Sequence, residues 1–192
     1  MKKYFWVGFA VFLLNHPVFS QVQKPNIIVI LSDDAGYDDF ESYGGEDIPT
    51  PNINSLSKEG VLFTSGYVTA SVCAPSRAGL LTGRYQQRFG FEHNMSGEPA
   101  SGFTKADMGL DKNQKTIADY LKISGYHTIA IGKWHQGNSS EFFPLNCGFD
   151  EFYGFKEGHR SFFRYPKERE EKYALYDNEK IKNMARFIYR AQ

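Results

Sequence analysis

Residues Ile27 to Leu31 form an unbroken apolar run of Ile, Ile, Val, Ile and Leu, bounded by Pro25-Asn26 and by Ser32-Asp33-Asp34. A short β-branched run with no polar alternation reads as a strand buried on both faces, the habit of parallel sheets covered by helices. The chain downstream keeps to that plan. Thr50 followed by Pro51 opens a short helix, with the hydroxyl as N-cap and Pro at the first helical position, and Gly60 closes it. Val61 to Val68 reads as a second strand and His127 to Ile131 as a third. Pro75 to Leu81 begins a helix, Gln114 to Ser124 forms an amphipathic one stopped by Gly125, and the charged stretch Glu168 to Arg190 also reads as helical. Strands and helices alternating across short turns predict an α/β fold, with a mostly parallel sheet flanked by helices.

The first twenty residues read as a signal peptide rather than as part of that fold. Lys2 and Lys3 precede the apolar run Tyr4 to Leu14, and Val18 and Ser20 are small residues at the −3 and −1 positions of a cleavage before Gln21. The run is too short to span a bilayer, which takes about 20 apolar residues, so no membrane anchor is expected. An exported protein, periplasmic or secreted, follows, with residues 21–192 as one domain. The 22 basic and 22 acidic residues cancel, so no global field favours nucleic acid. In an oxidising compartment, Cys73 and Cys147 could form one disulfide.

Three short segments carry chemistry. Asp33 and Asp34 end the first strand, and ligands collect at the carboxyl ends of strands in open α/β sheets. Two adjacent carboxylates are costly unless a cation neutralises them, and hard oxygen donors suit calcium or magnesium. An exposed acidic turn is the plainer reading of the same two residues. In Cys73-Ala74-Pro75-Ser76-Arg77, Pro75 sets Cys73 at a helix N-terminus, where free N–H groups and the dipole favour an anion. Arg77, four residues on, shares its helix face. A redox thiol of low pKa would use the same arrangement. Beyond the third strand, Lys133 and His135 project to one side if the extended backbone continues past Gly132.

Cys73-x-Pro75-Ser76-Arg77 with Leu81-Thr82-Gly83 resembles the first signature of the type I, formylglycine-dependent sulfatases of the alkaline phosphatase superfamily. Gly125 to His135 resembles their second signature, and Lys24-Pro25-Asn26 with Asp33-Asp34-x-Gly36-Tyr37 resembles their opening strand and metal turn. Gly148-Phe149-Asp150 and Phe152-Tyr153-Gly154 extend the likeness to residue 154. The resemblance implies that a maturation enzyme converts Cys73 to formylglycine, whose hydrated aldehyde attacks the sulfur of a sulfate ester. It implies a calcium ion held by Asp33, Asp34 and the converted Cys73. Arg77 would then hold the diol, Lys133 would neutralise a sulfate oxygen, and His135 would assist proton transfer. The expected substrate is a sulfated small molecule or polysaccharide.

The family's remaining metal ligands and a second sulfate-binding Lys lie further along its longer chains, so the resemblance covers the N-terminal portion of that fold, truncated on its C-terminal side. His159 is equally readable as an ordinary loop residue or as a group near substrate. Two other readings stand beside the sulfatase: a phosphodiesterase or phosphonate hydrolase of the same superfamily, and a catalytically incomplete fragment with a binding role. The intact Cys-x-Pro-Ser-Arg run and Gly132-Lys133-Trp134-His135 favour sulfate.

Overall fold

The computed structural model describes residues 23–95, 99, 102, 104–161, 163, 169 and 172–182. The expected leader at residues 1–20 lies outside them. Two compact units divide the chain at Gly36, the second being Tyr37–Gln192. In the N-terminal unit, Ile27 to Leu31 forms no strand. Composition gives a β-branched run its preference, but a strand exists only through the ladder a neighbour supplies.

The second unit is built on a four-stranded sheet of order β1-β2-β3-β4: β1 (Ile129–Lys133), β2 (Glu151–Phe155), β3 (Leu175–Asp177) and β4 (Lys180–Lys182). β1 and β2 are parallel, with Gly132 opposite Gly154, while β2–β3 and β3–β4 are antiparallel. The sheet is therefore mixed rather than mostly parallel. A Cβ on Gly154 would collide with the Gly132 carbonyl, so glycine there lets the two strands approach. Within the expected helix over Glu168 to Arg190, residues 175–182 instead form the β3–β4 hairpin, and residues 168, 170, 171 and 183–190 lie outside the described ones. Asn178 makes the difference. It takes the left-handed φ of 54° that a two-residue hairpin turn needs. Its N–H donates to the Phe152 carbonyl (2.7 Å) and its Oδ1 accepts from the Phe152 N–H (2.9 Å), docking the hairpin on β2.

Among the described residues, α1 (Pro51–Glu59), α2 (Cys73–Thr82) and α3 (Ile117–Ile123) accompany the sheet. Thr50 does not cap α1 with its hydroxyl. Its Oγ1 accepts from the Glu41 N–H (3.1 Å), and the Glu41 carboxylate accepts from the Thr50 N–H (2.9 Å), placing a negative charge at the helix start. Val61 to Val68 is a loop, not a strand, because Thr64-Ser65-Gly66 puts turn-forming residues in its middle. α3 begins later than expected, behind a capping box in which the Asp119 N–H donates to Thr116 Oγ1 and the Thr116 N–H donates to Asp119 Oδ2.

Among the described residues, two small cores hold the unit together. Ala74, Ala78, Phe91 and Leu110 form one, under the inner face of α2. Trp134, Phe143 and Phe152 form the other, with edge-on pairs Phe143–Phe152 (5.3 Å) and Trp134–Phe149 (5.9 Å). Leu81 packs on the second core, so α2 touches both. Among the described residues, no helix is long and apolar enough to cross a membrane.

Candidate active site

α2 and the segment after β1 meet at one point. Helix α2 starts at Cys73 itself, and Val72 at its N-cap offers no side-chain acceptor. The chain leaves β1 through Gly132 (φ 99°) and turns sharply at His135, whose φ of 57° is left-handed. The extended backbone expected past Gly132 therefore reaches Lys133 and ends before His135. Non-glycine residues rarely take that conformation, and it persists where the surroundings enforce it. Here they do: the His135 N–H donates to the Lys156 carbonyl (2.9 Å) and the Trp134 N–H to the Phe155 carbonyl (3.0 Å), while Trp134 Nε1 donates to the Phe142 carbonyl (2.7 Å).

This turn delivers the His135 ring to the nucleophile candidate. Nδ1 lies 3.2 Å from Cys73 Sγ, a contact in which either partner can donate. The far side of the ring abuts Gly158, where an added Cβ would stand 2.6 Å from both Cε1 and Nε2. The ring is thus wedged between Gly158 and Cys73, and His135 is buried. Arg77 Nη1 donates to the Lys133 carbonyl (2.7 Å), tying the helix to the end of β1. Cys73, Arg77, Lys133 and His135 therefore come together in the second unit. Asp33 and Asp34 belong to the N-terminal unit, where Asp34 also has a left-handed φ of 57°.

Three residues at the site have no counterpart in the sequence reading. Asn94 Oδ1 accepts the Ala74 N–H (3.1 Å) and lies 3.7 Å from Cys73 Sγ. Gln136 is fully buried, and its Nε2 donates to the Ala74 carbonyl (2.9 Å) and to the His135 carbonyl (2.7 Å). Gly158 is the third. No spacing rule points to Asn94 or Gly158, which reach the site from loops, whereas Gln136 adjoins a site residue and could have been suspected for that reason.

Cys147 takes no part. Both cysteines are free, and burial, aided by the Asp119 charge, pushes the Cys147 thiol up to about 12. His159 is exposed, with its ring against Tyr173 (5.3 Å). Among the described residues, no group of three or more His, Cys, Asp and Glu side chains could hold a metal ion. The Asp33–Asp34 pair has the right donor chemistry for calcium, but calcium takes 6–8 oxygen ligands. Two carboxylates would be part of such a shell.

A family model described as Sulfatase matches residues 25–192. Arylsulfatase H of Canis lupus familiaris is 43% identical over 141 residues, covering 70% of this chain and 25% of that protein. The N-acetylgalactosamine-6-sulfatase of Sus scrofa is 40% identical, covering 69% and 26%. The crystal structure of Ps i-CgsB in complex with k-i-k-neocarrahexaose aligns with a TM-score of 0.73 and 38% identity, covering 83% of this chain and 37% of that one. The PsFucS1 sulfatase from Pseudoalteromonas sp. aligns with a TM-score of 0.59 and 38% identity, covering 69% and 26%. The chain spans about a quarter of the length of the curated relatives it matches.

Proposed function

Because this chain belongs to the sulfatase family, through a match that spans residues 25–192, we propose that it is part of an exported sulfuric ester hydrolase whose nucleophile is formylglycine made from Cys73. The observation that carries the reading is the 3.2 Å approach of His135 Nδ1 to Cys73 Sγ at the N-terminus of α2. The sulfur stands in for an oxygen of the hydrated aldehyde. That hydrate supplies two hydroxyls, one to attack sulfur and one whose proton loss releases sulfate, so the enzyme is not left as a stable sulfate ester.

The chain's own residues have separable tasks in this reading. His135 holds a proton at the hydroxyl nearest its Nδ1 or takes one from it, and Gly158 keeps the ring within reach. The positive end of the α2 dipole favours the sulfate near Cys73, and Lys133 adds a full charge beside it. Arg77 clamps the carbonyl of Lys133, so the helix and the strand end hold one geometry. Calcium, with Asp33 and Asp34 among its ligands, would polarise the sulfate.

A carbohydrate sulfate is the proposed substrate. One relative's name specifies an N-acetylgalactosamine-6-sulfatase, and one neighbour was crystallised with neocarrahexaose. Co-expression of the natural full-length polypeptide with a formylglycine-generating enzyme tests the reading. Mass spectrometry of the peptide spanning Cys73 should show aldehyde in place of thiol, and the product should turn over an aryl sulfate faster than an aryl phosphate. A persistent thiol, a dominant Cys73–Cys147 disulfide or the reverse order of rates overturns it.

A further inference from the structure

We propose that Asn94 is a positioning residue for the nucleophile at position 73. The proposal rests on the sulfatase reading for its kinetic consequence and on geometry for its origin. A helix leaves its first N–H groups without partners, and a side-chain acceptor at the N-cap normally takes one of them. Val72 cannot do so. The missing acceptor comes from a distant loop: Asn94 Oδ1 receives the Ala74 N–H at 3.1 Å.

The same oxygen lies 3.7 Å from Cys73 Sγ, within the reach of a sulfur hydrogen bond, while His135 Nδ1 stands 3.2 Å from that sulfur. The side chain at position 73 is thereby flanked by two polar partners. A rotor about one single bond with a partner on each flank is restricted to few of its staggered positions. The thiol uses these partners weakly. A geminal diol has two hydroxyls at the same place, and the two partners distinguish them: His135 faces one, and the Asn94 oxygen accepts from the other. Gln136 completes the arrangement by donating to the Ala74 carbonyl (2.9 Å), so both backbone polar groups of the residue after the nucleophile are held by side chains.

A helix cap with no further role would stabilise α2 and leave turnover per active site unchanged. The test therefore compares Asn94→Ala with Asn94→Asp, which keeps the acceptor oxygen, in the full-length polypeptide with its aldehyde content measured. With 4-nitrophenyl sulfate as the probe, N94A should lose about a hundredfold in kcat per aldehyde, the scale of a misplaced reacting group. Its KM should stay within about threefold, because substrate contacts are untouched. N94D should hold kcat at least about tenfold above N94A. A kcat for N94A within about twofold of the parent, or an N94D as slow as N94A, overturns the proposal.

A second arm needs no aldehyde. In the thiol form, hydrogen exchange of the segment from Cys73 to Ser76 reports the Ala74 amide without interference from Pro75, which has no N–H. N94A should accelerate that exchange and N94D should not; unchanged exchange in N94A overturns the positioning role. If the parent carries no aldehyde or leaves aryl sulfate intact, the sulfatase reading fails on its own, and this arm still decides whether Asn94 fixes the start of α2.

Discussion

The arrangement at Cys73 depends on side chains acting on one another at short range, and single substitutions should separate their parts. Gly158→Ala adds a Cβ that would stand 2.6 Å from the His135 ring, and the ring tip is what must give way. Its movement pulls Nδ1 from position 73, so kcat should fall by about tenfold to a hundredfold while the fold persists. Steady-state kinetics beside a thermal melt checks this, and an unchanged kcat would show that the ring does not need that wall. Cys147 gives a contrasting expectation. Its thiol is pushed up to about 12, by burial first and by Asp119 second, so the folded state holds the proton more tightly than the unfolded chain does. Its contribution to stability is complete below the ordinary thiol value of 9.0 and is lost as pH rises through about 12. Iodoacetamide at pH 8 should spare Cys147 in the folded protein, and alkylation at the rate of an unfolded peptide would contradict the burial. The gathering of Cys73, Arg77, Lys133 and His135 was legible in the sequence, because those residues sit in compact signatures. Asn94 and Gly158 were not, because each enters through a loop whose path only the folded chain defines.

At the scale of elements, propensity and tertiary context diverge in an instructive way. α1, α2 and α3 lie near where N-terminal residues and closing glycines place them, since those signals act within a few residues. The strands were harder to read. Val61 to Val68 has the composition of a strand and forms none, and the hairpin of β3 and β4 arises in a charged stretch that reads as helix. A turn residue decided both outcomes, at Thr64-Ser65-Gly66 in one case and at Asn178 in the other. The joint between α3, β1 and β2 shows how elements are tied at the end remote from Cys73. Asp150 Oδ2 accepts from the Thr128 N–H (2.9 Å) and hydroxyl (2.8 Å), and Lys122 Nζ lies 2.9 Å from Oδ1. These donors, Lys122 first and Thr128 after it, hold the Asp150 carboxyl down at about 2. A depressed carboxyl contributes stability above its ordinary value of 3.8 and loses it as pH falls through about 2. Thermal melts between pH 4 and pH 2 should therefore show a steeper loss of stability in the parent than in Asp150→Asn, which has no charge to lose there. Parallel curves for the two proteins would mean that the joint does not depend on the carboxylate.

The molecule as a whole carries family signatures along its length, and among its described residues no group of three or more His, Cys, Asp and Glu side chains could hold a metal ion. In the proposed reading, Asp33 and Asp34 would give a calcium ion two carboxylates where 6–8 oxygen ligands are usual. Among the described strands β1 lies at the sheet's edge, with Ile131 78% exposed, and an uncovered apolar edge strand is a site of association. Ile123 on α3 is 82% exposed, and Phe63 and Tyr67 in the loop after α1 are 70% and 90% exposed. Large apolar side chains left in water on helix, strand and loop are more than a soluble monomer normally tolerates in one small unit. A polypeptide limited to residues 21–192 should therefore associate at micromolar concentration and bind a hydrophobic dye. Even with the aldehyde confirmed at position 73 and millimolar calcium present, it should not hydrolyse aryl sulfate above the uncatalysed rate. Size-exclusion chromatography and the aryl sulfate assay read the two halves of this expectation independently. A monodisperse monomer with turnover within about tenfold of the full-length polypeptide would mean that the chemistry needs no ligand beyond those in this stretch, and that the exposed apolar face is compatible with solution.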